Sequence, residues 1–326
     1  MTRRDLLASL FLLPLAGTVV GLPGCGGGKE PAGGPAEPPT KAKHGTIGVS
    51  LLTLGNPFFK EMGDAITAAA TAEGYTTKVV SAEMDPARQR DQVRDFLAAD
   101  VVAIILTPAD SKAVGTAIQE ANAKKVPVFT ADIASLAADA KVVSHVATDN
   151  HAGGAQAGEA AVEALKGTGK VAIIDHPEVE SGMLRIQGFE EVVAKHPGMK
   201  VVAKLPGYGQ RDRSFKVAQD ILQAHPDVNL IFGVNDPTAL GVVAALEAAS
   251  KVGQVKVIGF DGQPEAKAAI KAGKIYADAV QYPDRIGKLA VERVVKYLAG
   301  EAVPPVTLIP TGLYRKADAD AEATKS

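Results

Sequence analysis

Thr46-Ile47-Gly48-Val49-Ser50-Leu51-Leu52-Thr53-Leu54-Gly55-Asn56-Pro57-Phe58-Phe59-Lys60-Glu61-Met62-Gly63-Asp64-Ala65-Ile66 is the stretch on which the fold turns. Its first seven residues are apolar and β-branched and read as a strand. Lys60 onward has helical spacing. Asn56 suits an N-cap and Pro57 the first helical position. The segment between strand and helix therefore lies at the carboxyl end of a first strand, where open α/β sheets place their ligand crevices. Phe58 and Phe59 are adjacent and cannot both face inward on a helix. One ring is a candidate cleft wall, with a hydrophobic staple as the equal alternative.

Outward from this stretch the pattern repeats. Short β-rich runs at 76–81, 101–106, 126–130, 142–147, 170–175, 199–205, 230–234, 255–260 and 275–280 alternate with Ala-rich segments of helical spacing such as 86–99, 152–166 and 214–224. Alternation of this kind predicts an α/β fold of parallel sheets covered on both faces. About ten strands in 326 residues divide better into two doubly wound domains than into one open sheet. The run 142–149 has no helix signal and reads as a crossing strand between the domains. A helix at 285–298 and a proline-broken strand region at 303–313 follow. The reading assigns residues 45–148 plus 282–310 to an N-terminal domain and 149–281 plus 311–320 to a C-terminal domain. Several crossings between two α/β domains make a multi-crossing hinge around a closing cleft.

The amino terminus is of another kind. Met1-Thr2-Arg3-Arg4-Asp5 is basic, residues 6–22 are almost wholly apolar, and Leu22-Pro23-Gly24-Cys25 closes the segment. Residues 1–24 read as a signal peptide rather than a core helix; an uncleaved membrane anchor is the alternative. The closing tetrapeptide resembles a bacterial lipobox, which implies acylation of Cys25, and Thr2-Arg3-Arg4-Asp5-Leu6-Leu7 weakly resembles a twin-arginine export signal. Residues 25–44 are then a lipidated cysteine and a Gly/Pro/Ala-rich tether, reaching roughly 24 Å as a random coil. The body is expected outside the cytoplasm, at a membrane face.

Composition narrows the function. A net charge of −2 offers no basic field for nucleic acid or anionic membrane. Cys25 is the single cysteine, and the six histidines (44, 145, 151, 176, 196, 225) form no metal-ligand spacing. Gly167-Thr168-Gly169-Lys170 lacks phosphate-loop spacing and precedes a strand, so it reads as a turn. No metal and no cofactor are expected.

Residues just past the strands are the candidate cleft lining. They are Asn56, Phe58 and Phe59; Thr107 to Asp110; Asp132 and Ile133; Asn235 and Asp236; Asp261; and Gln281, with Arg185 opening a helix after another strand. Amides, carboxylates and a guanidinium can satisfy hydroxyl groups, and aromatic faces can cover the C–H face of a sugar. A polyol ligand is the implication. The alternative for Asp132 and Asp261 is helix capping, for Arg185 a surface pairing with Glu178 or Glu180. Asp236 is expected to cap the helix that begins at Pro237.

In this order, Asn56-Pro57-Phe58-Phe59, Pro108-Ala109-Asp110-Ser111, Val143-Ser144-His145 with Asp149-Asn150, Asn235-Asp236, Gly259-Phe260-Asp261-Gly262 and Gln281 with Pro283-Asp284 resemble the ribose-type periplasmic sugar-binding proteins of bacterial ABC transporters (periplasmic binding protein type I). The resemblance runs from about Thr46 to Leu313. It implies that Phe58 and Phe59 hold a sugar ring and that Asn56, Asp132, Arg185, Asn235, Asp261 and Gln281 bond its hydroxyls. Tyr208 would be a further aromatic wall, with the alignment there shifted by about one residue. Thr107 and Ile133 depart from the pattern, which has an asparagine and an arginine at those places. Losing the charge-assisted bond of that arginine removes about 1.5–3 kcal/mol, which counts against ribose without choosing another sugar. The resemblance further implies a monomeric binding protein, not an enzyme, that delivers a monosaccharide to an ABC permease. A sensor of the same fold feeding a membrane receptor is the alternative. A glycosidase using Asp132 and Asp261 is a third reading, with no activated nucleophile to accompany it.

Overall fold

The structure, a computed structural model, describes residues 44–324. The leader, Cys25 and the tether up to residue 43 lie outside the described residues.

The chain enters as β1 (Thr46–Leu51), α1 (Pro57–Ala72), β2 (Thr76–Ser81), α2 (Pro86–Ala98), β3 (Ala103–Leu106), α3 (Gly115–Ala123), β4 (Val128–Ala131) and β5 (Ser144–Thr148). It continues through α4 (Asn150–Leu165), β6 (Thr168–Asp175), α5 (Glu180–Val193), β7 (Gly198–Pro206), α6 (Arg211–Ala224), β8 (Leu230–Gly233), α7 (Asp236–Ala248), β9 (Lys256–Asp261), α8 (Pro264–Lys271) and β10 (Ala277–Val280). It closes with α9 (Pro283–Leu298), β11 (Val306–Ile309), β12 (Gly312–Arg315) and α10 (Lys316–Ala323).

These strands form two six-stranded sheets, ordered β11-β5-β4-β3-β1-β2 and β12-β10-β9-β8-β6-β7. The central strands β3, β4, β5 and β8 are buried at every position. That explains why they read as continuous apolar runs rather than as alternations. In each sheet the strand order reverses beside the first strand, between β1 and β3 and between β6 and β8. Crevices open at such switch points.

The chain passes between the lobes three times. It leaves the first sheet after β5, returns between β10 and α9, and crosses again between β11 and β12. α9 belongs to the first lobe, where it lies against α1, β4 and β5. The proline-broken strand region expected at 303–313 consists of two strands in different sheets, divided at Pro310-Thr311. β12 runs antiparallel to β10, with Asp278 opposite Tyr314, and is the exception among otherwise parallel pairs.

The α4–α5 contact has a plain cause. A Cβ at Gly154 would lie 2.0 Å from the Arg185 carbonyl oxygen, and one at Gly188 would lie 2.1 Å from that of His151. Only glycine permits this approach, and it fixes the backbone that carries Arg185.

Candidate functional site

A cavity of about 540 Å³ lies between the lobes. From the first lobe Asn56, Phe58, Phe59, Met84, Asp132 and Ile133 line it. From the second come His176, Val179, Arg185, Asn235, Asp261, Gln263 and Gln281, with further residues. The lobes touch around it. Ser111 N donates to the Glu178 carbonyl at 3.0 Å, Glu180 N donates to Ser111 Oγ at 2.9 Å, and Gln263 Nε2 donates to Asn56 Oδ1 at 2.7 Å.

Two caps hold two of the amides. Asn56 Oδ1 accepts from Phe58 N at 3.0 Å at the start of α1, and Asn235 Oδ1 accepts from Thr238 N at 3.0 Å at the start of α7. Each cap satisfies an orphan helix donor and at the same time fixes the side chain at the cavity wall. The rings of Phe58 and Phe59 stand edge to face, 5.2 Å between centroids. Both line the cavity, so they form a wall as well as packing into the first core.

Asp132 sits in a three-residue turn, with Ile133 N donating to the Ala131 carbonyl at 2.8 Å and φ of 68°. That left-handed backbone is strained for a non-glycine residue. No helix starts there, so Asp132 is not a cap. Its Oδ1 is buried without a hydrogen-bond partner. Burial pushes its carboxyl up to about 7, against the opposing pull of the Arg185 guanidinium.

Arg185 is buried in the second lobe rather than paired at the surface. Its Nε donates to Asn150 Oδ1 at 2.8 Å, and Nη1 donates to the Val234 carbonyl at 3.0 Å and to Asp261 Oδ1 at 3.3 Å. The guanidinium carbon lies 3.9 Å from the Phe260 ring centroid. Gln281 Nε2 donates to Asp261 Oδ1 at 2.6 Å, and Gln281 Oε1 is buried and unpartnered. Burial raises the Asp261 carboxyl above its ordinary range, opposed by Arg185 and Gln281. α8 begins at Pro264 with Gln263 as its cap residue, so Asp261 does not cap it.

Behind this wall is a second carboxylate pair. Asp236 is not the cap of α7, because Asn235 holds that place. Asp236 is fully buried, and its Oδ2 accepts from Gln263 N at 2.6 Å. Asp278 on β10 neighbours it; burial pushes Asp278 up to about 7 and, with the repulsion of Asp278, raises Asp236 as well. Gly259 makes the space, since a Cβ there would lie 3.1 Å from Asp236 Oδ1 and 3.3 Å from Asp278 Oδ1.

Thr107 to Asp110, Asp236 and Tyr208, expected at the site, do not line this cavity. Thr107 is wholly buried, because Gln89 of α2 closes over the end of β3: Gln89 Nε2 donates to the Thr107 carbonyl at 2.9 Å and its Oε1 accepts from Ala109 N at 2.9 Å. Tyr208 is turned away. Tyr208 and Gly209 both have left-handed φ, 55° and 65°, and it is Gly209 that faces the cavity. Ile133 does line the cavity and shares an apolar cluster with Val179 from the other lobe.

Met84, His176, Gln210 and Gln263 were missed. His176 directly follows β6, so the strand-end rule could have found it. Gln263 is two residues past Asp261, and nothing in the sequence shows that its side chain spans the lobes. Among the described residues, no group of three or more His, Cys, Asp or Glu is placed to hold a metal, and no helix is long and apolar enough to cross a membrane.

Known proteins share this architecture and sequence. The ribose import binding protein of Salmonella typhimurium is 38% identical over 259 residues, covering 79% of this chain and 86% of that protein. The D-apiose import binding protein of Paraburkholderia graminis is 34% identical over 268 residues, covering 81% and 85%. The crystal structure of an ABC transporter periplasmic solute binding protein from Actinobacillus succinogenes with bound D-allose superposes with a TM-score of 0.79 at 29% identity, over 85% of this chain and 99% of that one. The family model of the periplasmic binding protein domain matches residues 47–302. On this match and these identities, the chain belongs to the periplasmic binding protein family.

Proposed function

We propose that this protein captures a monosaccharide or related polyol between its lobes, closes by bending at the three crossings, and delivers the sugar to an ABC permease. One observation carries the reading. Asp132 Oδ1 and Gln281 Oε1 are buried acceptors without donors, on residues that line a cavity walled by Phe58 and Phe59. Leaving such atoms unpaired costs about 1–3 kcal/mol each. Ligand hydroxyls would supply the missing donors, and the ring faces would cover the C–H side of the sugar.

In this account Asn56, Asn235 and Gln281 bond hydroxyls, Asp132 and Asp261 accept from them, and Arg185 donates. Capture needs only greater affinity for the closed arrangement, not chemistry. Ile133, where the ribose-type pattern has an arginine, disfavours ribose itself. The relatives are import binding proteins for ribose and D-apiose, and the solved neighbour holds D-allose, which supports a sugar of that size. The exported location, the acyl anchor at Cys25 and the monomeric state belong to the same proposal. Isothermal titration with pentoses, hexoses, deoxy sugars and cyclic polyols tests it: one of them should bind with unit stoichiometry, and Asp261→Ala should weaken it at least about tenfold. Binding unchanged by Asp261→Ala would remove this site as the sugar site.

A further inference from the structure

A second cavity of about 320 Å³ adjoins the first, and Met84, His176 and Gln210 line both. Gln210 Nε2 donates to the Met84 thioether sulfur at 3.1 Å, across the two lobes. A thioether is a weak acceptor, so this contact yields readily to a better one.

His176 stands at the junction. It is 6% exposed, and its ring nitrogens make no hydrogen bond within the described residues; the nearest carboxylate, Glu178 Oε2, is 3.9 Å from Nε2. Burial holds the imidazole down to about 4, so it is neutral and offers one donor and one acceptor. Its ring lines both cavities, where a ligand can reach its donor and its acceptor.

The adjoining cavity has its own recognition chemistry. Tyr208, turned from the main cavity by its left-handed backbone, presents its ring there, 6.1 Å from His176 between centroids. The Arg213 guanidinium carbon lies 5.0 Å from the Tyr208 ring centroid. Asp110 and Glu178 complete the lining with carboxylates from opposite lobes. A phenol, a guanidinium and two carboxylates offer the donors and acceptors that a hydroxylated ring requires.

We infer that this adjoining cavity is a second sugar subsite, which admits the other ring of a disaccharide whose first ring occupies the main cavity, with His176 bonding at the junction. The inference rests on the sugar reading above. From it the protein accepts glycosidically extended ligands, where a single enclosed cavity would reject them.

The test is calorimetric titration of the purified protein with D-glucose, D-galactose, D-xylose and D-ribose, then with disaccharides ending in whichever binds. At least one such disaccharide should bind within about tenfold of its monosaccharide or more tightly. Tyr208→Ala and Arg213→Ala should each weaken the disaccharide several-fold to about tenfold and leave the monosaccharide within about twofold. A monosaccharide that binds while every disaccharide containing it fails would overturn the second subsite and leave the sugar reading intact. Equal weakening of both ligands by Tyr208→Ala and Arg213→Ala would also overturn it. No binding of any pentose, hexose, deoxy sugar or cyclic polyol would remove the sugar reading itself, and the subsite with it.

Discussion

Gln263 Nε2 lies 2.7 Å from Asn56 Oδ1 and so ties one lobe to the other at the cavity wall. The same nitrogen lies 3.3 Å from Asp261 Oδ2, and the Gln263 backbone nitrogen donates to buried Asp236 at 2.6 Å. The bridge is therefore seated from behind. Gln263→Ala removes a contact made only when the lobes are together. A hydrogen bond of about 0.5–1.5 kcal/mol corresponds to a roughly 2–12-fold loss of affinity for the sugar. Small-angle scattering should show a larger radius of gyration for the ligand-free variant. An unchanged radius together with unchanged affinity would mean that the bridge does not bias closure.

The Asp132 carboxyl, raised from 3.8 to about 7, makes binding depend on pH. The ionised form accepts from ligand hydroxyls, so binding stabilises the anion and affinity falls as pH drops below about 7. From about pH 8 to about pH 6 the ionised fraction falls from roughly nine-tenths to one-tenth, a loss of about tenfold. In the empty protein the linkage has the opposite sense. A carboxyl raised by folding contributes stability below 3.8 that is lost as pH rises through about 7. Asp132→Asn should flatten the affinity profile measured by calorimetry; a profile identical to the parent's would assign the titration to another group.

The Asp236–Asp278 pair puts two carboxyls where no water-like solvation reaches them. Burial raises the Asp278 carboxyl to about 7, and the Asp236 carboxyl faces it. Asp278→Asn keeps the shape and removes the need to ionise. The variant should melt several degrees higher than the parent at about pH 8, with the gain shrinking toward about pH 4, where the parent's carboxyl stays protonated. A lower Tm at the higher pH would show that the charge is compensated.

Ile133→Arg restores the side chain of the ribose-type pattern, yet it should not restore ribose binding alone. Ile133 is buried and shares an apolar cluster with Val179 of the other lobe. A guanidinium there separates that seam and buries a charge. The expected result is a lower Tm without a gain in ribose affinity; a clear gain would show that the seam adapts.

Much of this architecture was legible because it rests on local rules. Asn56-Pro57 announces a cap and a helix start, and the strand-end rule reaches Asp132, Asn235, Asp261 and Gln281, all of which the structure brings to one cavity. The departures have tertiary causes. Gln89 reaches from α2 to close over Thr107, eighteen residues away in sequence. A one-residue difference at Tyr208-Gly209, with both residues left-handed, sends the ring to another cavity. The direction of β12 follows from the last crossing at Pro310-Thr311, and no periodicity carries that information.

The most direct measurement is a thermal-shift screen of the purified protein across pentoses, hexoses, deoxy sugars and polyols, repeated on Asp261→Ala. A specific ligand at about one hundred times its Kd contributes roughly 2.7 kcal/mol, enough for a clear rise in Tm. The account predicts a large rise with one or a few stereochemically related sugars, cut to about half or less in Asp261→Ala. A flat screen, or a rise of equal size in the variant, would contradict it.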